Sequence, residues 1–133
     1  MKTLIKIIVC SIFFLSIQTN AQLDTLNYIK QFETNKINYI NQPFTKLLGD
    51  MVQIQPKTVW PTIGRKGFIY RTRFKFCEMK DSYYNVITLL IEWQEPVSSS
   101  QAKHYTDLNG YYFTNDEKVF YGSKIVKNIW VYR

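Results

Sequence analysis

Between Asp24 and Tyr132 the spacing of apolar residues switches repeatedly between a helical and an alternating period, and each switch marks an element. Leu26, Ile29, Phe32 and Ile37 recur at roughly helical spacing behind Asp24 or Thr25, either of which suits an N-cap, so a helix is predicted from Asp24 to about Asn38. Pro43 suits the first turn of a second helix, whose apolar face is Phe44, Leu47 and Leu48 and which runs to Gly49. Val52 and Ile54 then alternate with polar residues until Pro56 and Pro61 interrupt, which predicts a short or edge strand leading into a loop. That loop ends in Gly64-Arg65-Lys66-Gly67, a glycine-bracketed basic stretch able to hold a phosphate. It matches no nucleotide-binding fingerprint and reads better as a solvated turn.

The strongest alternation runs from Phe68 to Gln94 and predicts a hairpin. If Asp81-Ser82 is the turn, Tyr70, Thr72, Phe74 and Phe76 lie opposite Trp93, Ile91, Leu89 and Ile87 on one face, which is the expected core. The other face pairs Arg71 with Glu92, Arg73 with Leu90, Lys75 with Thr88 and Cys77 with Val86, basic at one end and apolar at the other. Slipping the register by one residue would move the isoleucines and leucines onto the basic face, which burial disfavours. The turn lacks the glycine of a primed geometry, so a longer loop is the alternative.

Beyond Pro96, Ser98 is placed to cap a helix that carries Ala102, Tyr105 and Leu108 and stops at Gly110. Tyr111 to Phe113 reads as extended. Thr114 or Asn115 then caps a short helical turn with Asp116 and Glu117 at its positive end and Gly122 after it. Ile125 to Tyr132, β-branched and aromatic, is a final strand. The expected class is α+β, with N-terminal helices packed on a small three- to four-stranded antiparallel sheet.

The first residues change what this domain is. Lys2 and Lys6 precede an apolar run from Ile7 to Ile17 and a small-residue site at Thr19-Asn20-Ala21, the layout of an export signal cleaved before Gln22. The apolar run is too short for a bilayer-spanning helix, which takes roughly 20 residues. Residues 1–21 are therefore expected to leave and residues 22–133 to form a single α+β domain, in the periplasm or outside the cell. Losing Lys2 and Lys6 lowers the formal charge from +7 to +5, and no stable membrane insertion is expected afterwards. Losing Cys10 leaves Cys77 as the only thiol, so no intramolecular disulfide forms and Cys77 is expected to be buried in its apolar run.

Candidate chemistry is sparse. His104 is the single imidazole and is far in sequence from Cys77, and Asp107, Asp116 and Glu117 match no calcium loop, so neither a metal nor any other cofactor is expected. There is no Gly-x-Ser-x-Gly elbow, and nothing around Cys77 marks an activated nucleophile. One enzymatic alternative is a secreted nuclease acting on phosphodiesters, with Glu92 as base, His104 as acid and Arg71 or Arg73 stabilising phosphate. Aromatics point elsewhere: Tyr83, Tyr84, Tyr111, Tyr112 and Tyr121 sit near expected turns or element ends, where amphipathic rings serve recognition. With Arg71, Arg73 and Lys75, the tyrosines Tyr83, Tyr84, Tyr111 and Tyr112 form the expected binding surface.

The stretches NQPFTKLL (Asn41 to Leu48) and FYGSKIVKNIWVY (from Phe120) resemble parts of short exported proteins of Gram-negative bacteria that have no assigned activity. The two-helix start before a strand meander also resembles small outer-membrane assembly lipoproteins and β-lactamase-inhibitor proteins. The chain lacks the lipobox of the former, since Cys10 lies early in the apolar run behind Val9, so membrane attachment does not carry over. Fold likeness does not assign function. The leading expectation is a small, soluble, exported, non-enzymatic module that binds another protein of the cell envelope, an immunity-type inhibitor being one version. An anionic glycan is the second partner class, and nucleic acid is disfavoured.

Overall fold

The computed structural model describes residues 23–133, so the expected export signal, its cleavage site and Cys10 lie outside the described residues. Four strands, β1 (Thr58–Ile63), β2 (Phe68–Lys75), β3 (Thr88–Ser98) and β4 (Val126–Tyr132), form one antiparallel sheet in the order β1-β2-β3-β4. The class is α+β, but the helices are not all N-terminal. α1 (Thr25–Thr34) and α2 (Phe44–Asp50) precede the sheet, whereas α3 (Ser99–Asn109) and α4 (Asn115–Gly122) lie between β3 and β4. No helix among the described residues is long and apolar enough to cross a membrane.

α1 starts where Asp24 accepts the Asn27 N–H at 3.2 Å, satisfying one of the donors that a helix start leaves unpaired. It ends at Thr34, earlier than its apolar spacing predicts, and a separate 3-10 turn covers Lys36–Asn38. The break at Asn35 resets the phase, so Ile37 is 80% exposed while Ile29 and Phe32 are buried. β1 begins at Thr58, not at Val52, which is exposed. It continues through Pro61 to Ile63, tolerable because β1 is an edge strand and needs no outward N–H there. The Gly64-Arg65-Lys66-Gly67 stretch is a tight connection in which Lys66 and Gly67 both take positive φ. The Gly64 N–H donates to the Phe68 carbonyl at 2.7 Å and is thereby used within the hairpin.

The hairpin register is the expected one over Arg71↔Glu92, Thr72↔Ile91, Arg73↔Leu90, Phe74↔Leu89 and Lys75↔Thr88. Its connection is not the expected two-residue turn. Residues 76–87 form a loop with a 3-10 turn at Met79–Asp81, so Phe76 and Cys77 do not pair with Ile87 and Val86. Cys77 is half-buried rather than enclosed. At the other end the ladder shifts between Ile69 and Arg71, and Ile69 pairs with Val97. Ile69 therefore turns inward and Tyr70 is exposed, the reverse of its expected place opposite Trp93. Trp93 to Pro96 have no partner in β2 across this shift, and β3 runs on to Ser98, directly before α3. In α3 Ala102 is buried as expected, but Leu108 is exposed.

All four helices contribute to a core on one face of the sheet. Phe44 of α2 meets Phe74 at 4.7 Å and Trp93 at 5.5 Å between ring centroids, and Tyr121 of α4 meets Trp93 at 5.9 Å. Ile29 and Phe32 of α1 and Ala102 of α3 join the same cluster as Leu89, Ile91, Ile129 and Val131. α2 and α4 approach closely at Gly122, where an added Cβ would stand 2.6 Å from Thr45 Cγ2. Alanine is the better helix former by up to about 1 kcal/mol, but this overlap decides the sign. Gly122→Ala is expected to destabilise by about 1–3 kcal/mol, and Thr45→Ala in the same chain should recover most of the loss. Urea denaturation of the single and double variants checks this; equal midpoints for Gly122→Ala and the parent chain would contradict it.

Candidate functional site

The face of the sheet turned away from the helices is built by the residues between the core positions of each strand. Register sets them in rows: Thr62–Arg71–Glu92–Asn128, then Trp60–Arg73–Leu90–Trp130, then Thr58–Lys75–Thr88–Tyr132. Loop 76–87 lies against the third row at Lys75 and Thr88 and leaves Tyr132 exposed. Thr88 donates to the Val86 carbonyl at 3.0 Å, the Lys75 ammonium donates to the Ser82 carbonyl, and the Tyr83 ring stands edge-on to Trp60 at 5.4 Å. Thr58 and Thr88 are accordingly buried, while Arg71, Arg73 and Thr62 are exposed.

Cations and aromatics interlock diagonally across these rows. The Arg71 guanidinium lies 5.1 Å from the Trp130 ring centre, and the Lys75 ammonium 5.2 Å from that of Trp60. Both are within cation–π range. Arg73 donates from Nε to the Tyr132 hydroxyl at 3.2 Å and from Nη1 to Thr62 Oγ1 at 2.9 Å. Tyr111, beyond the β1 edge, stacks on Trp60 at 4.1 Å with the rings 6° from parallel. Burial pulls the Lys75 ammonium below its ordinary value, with Cys77 opposing and Arg73 adding to the effect. Burial likewise pushes the Cys77 thiol up, against the pull of Lys75, so nothing here activates it as a nucleophile.

Of the residues expected to bind, Arg73, Lys75, Tyr83 and Tyr111 come together around Trp60 on this face or its margin, and Arg71 joins them over Trp130. Tyr84 and Tyr112 are exposed and make no ring contact among the described residues. Tyr121 does not belong with them, being 1% exposed in the core; burial raises its phenol pKa, and Glu117 adds to the shift. Sequence reasoning missed Trp60, Trp130 and Tyr132. The last two were within reach, because Trp130 and Tyr132 alternate with the buried Ile129 and Val131 and so point the other way.

Glu92 and His104 are not brought to one place. Glu92 sits on the outer face and pairs with Lys127 at 3.1 Å, whereas His104 lines a depression with Ser100, Gln101, Tyr105 and Phe120. Its ring stands edge-on to Tyr105 at 5.2 Å. No group of three or more His, Cys, Asp or Glu side chains able to hold a metal occurs among the described residues. No family model, curated protein or solved structure matches this chain.

Proposed function

We propose that this is an exported, non-enzymatic module of the cell envelope that holds a partner protein against the outer face of its sheet. The observation that carries the reading is the second row, Trp60–Arg73–Leu90–Trp130, extended by Arg71 and Tyr132. Trp, Tyr and Arg are the residue types that dominate binding energy at protein interfaces, and here they are packed on one another before any partner arrives. A small solute would ask for a concave site, and none of the described depressions is lined by Arg71, Arg73 or Trp130.

Strand addition at an edge is the competing mode of protein binding, and both edges are blunted. On β4, Val126 exchanges hydrogen bonds with Asn41 and Gln42, and Asn128 Oδ1 accepts the Ile129 N–H at 2.9 Å. On β1, the Val59 N–H goes to the Tyr111 carbonyl at 2.8 Å, the Phe113 N–H comes to the Lys57 carbonyl at 2.9 Å, and Pro61 has no N–H. Such edges protect against pairing and leave the face as the surface on offer. An immunity-type inhibitor of a toxin acting in the periplasm is one form of this function.

The test is affinity capture from an envelope extract of the producing organism, with Trp130→Ala and Arg71→Ala compared with the parent chain. A stoichiometric partner should be retained by the parent and weakened about 30-fold or more by each variant, the effect of losing a hot-spot side chain worth about 2 kcal/mol. Equal retention by the variants, or no stoichiometric partner, defeats the proposal.

A further inference from the structure

We infer that the partner is acidic at the contact, presenting Asp or Glu carboxylates to the Arg71 and Arg73 guanidiniums; this rests on the outer face being the binding surface. The charge there is one-sided. Arg71, Arg73 and Lys75 occupy three successive outward positions of β2, and the acid of those rows, Glu92, is paired with Lys127 and not with its cross-strand neighbour Arg71.

The arginines are prepared for carboxylates in different ways. Arg71 is held over Trp130, and none of its N–H donors is taken by a hydrogen bond among the described residues. A stacked guanidinium with an open fork matches a carboxylate bidentately, and its ordering is done before binding. Arg73 is tethered through Nε and Nη1 and keeps Nη2 for a ligand. Lys75 is committed to the Ser82 carbonyl and the Trp60 ring, so it supports the potential of the face more than it contacts a ligand. Anionic glycans share the carboxylate chemistry. The polypeptide is favoured because the arginines lie among the half-buried Trp60, Leu90 and Trp130 and the exposed Tyr132, which take apolar side chains between the acids.

The direct test titrates the full chain, freed of any leader, with poly-L-glutamate at low salt and follows tryptophan fluorescence. Polygalacturonate and single-stranded oligothymidylate serve as comparison polyanions. The Arg71→Ala/Arg73→Ala variant should bind poly-L-glutamate about tenfold more weakly. The Arg65→Ala/Lys66→Ala variant loses the same two charges at the exposed β1–β2 connection and should lose less than about threefold. Circular dichroism confirms that both variants remain folded. Equal losses in the two variants, no binding of poly-L-glutamate, or tighter binding of either comparison polyanion overturns the inference. Failure here, with the Trp130→Ala effect on capture intact, would leave the face as a binding surface and remove only the acidic partner.

Discussion

Trp93→Ala should cost about 3–5 kcal/mol of folding stability, the range for removing a large aromatic side chain from a packed core. Trp93 is 2% exposed and lies between Phe44 of α2, Phe74 of β2 and Tyr121 of α4, so its removal opens a cavity where two helices and the sheet meet. Its indole N–H also donates to Thr72 Oγ1 at 3.0 Å, and Thr72 is fully buried. Trp93→Phe separates the two contributions. It keeps most of the ring volume but leaves the Thr72 hydroxyl without that donor, which should cost about 1–3 kcal/mol. Domains of this size are stable by only about 5–15 kcal/mol, so the alanine variant should melt far below the parent chain. Equilibrium urea denaturation reads both effects; an alanine variant no less stable than the phenylalanine variant would show that the core does not depend on this packing.

Glu117→Ala should cost about 2–3 kcal/mol. Glu117 is 1% exposed, and a buried carboxylate is tolerated only when its acceptors are filled. Oε2 takes the Thr114 N–H at 3.0 Å and the Thr114 hydroxyl, and Oε1 takes the Asn109 amide at 3.0 Å. Thr114 Oγ1 in turn accepts the Asp116 N–H at 3.2 Å, completing a capping box at the start of α4. One side chain thus caps α4 and ties it to the end of α3. Alanine leaves the Thr114 N–H without its acceptor and the Asn109 amide with only the longer contacts to Thr114 Oγ1 and Asp116, whereas Glu117→Gln keeps one oxygen and should recover part of the loss. Denaturation midpoints in the order parent, Gln, Ala are expected; an alanine variant within about 0.5 kcal/mol of the parent would mean that water replaces the carboxylate without cost.

The hairpin shows how far local pattern reaches. Its central register followed from placing a turn at Asp81-Ser82, with burial of Phe74, Leu89 and Ile91 rejecting a one-residue slip, because such a slip exchanges the two faces. The missing turn glycine pointed to the longer loop that the structure has, but not to its shape. Loop 76–87 is held by the Lys75 ammonium on the Ser82 carbonyl and by the more distant Trp60 against Tyr83, contacts that leave no trace in the spacing of apolar residues. Tyr70 and Ile69 exchanged places for a similar reason: the shift that pairs Ile69 with Val97 is not visible in the alternation within β2. Ile37 fell out of phase because one break at Asn35 rotates everything after it.

The candidate face divides along the same line. Arg71, Arg73 and Lys75 were placed together by strand alternation alone, since outward positions of one strand are neighbours in sequence as well as in space. Their aromatic partners come from β1, β4 and the segment before α4, and only the sheet order β1-β2-β3-β4 brings Trp60, Trp130 and Tyr111 to them. By itself the sequence determined the α+β class, the hairpin register from Arg71 to Lys75, the starts of α1 and α4 to within one residue and the basic side of β2, because each follows from residues that are close in the chain or paired by burial. The tertiary structure alone decided which aromatics meet those cations, that Tyr121 is core rather than surface, and that Glu92 and His104 stay apart. Those outcomes depend on which strands become neighbours, and long-range neighbours are chosen by packing the whole core at once.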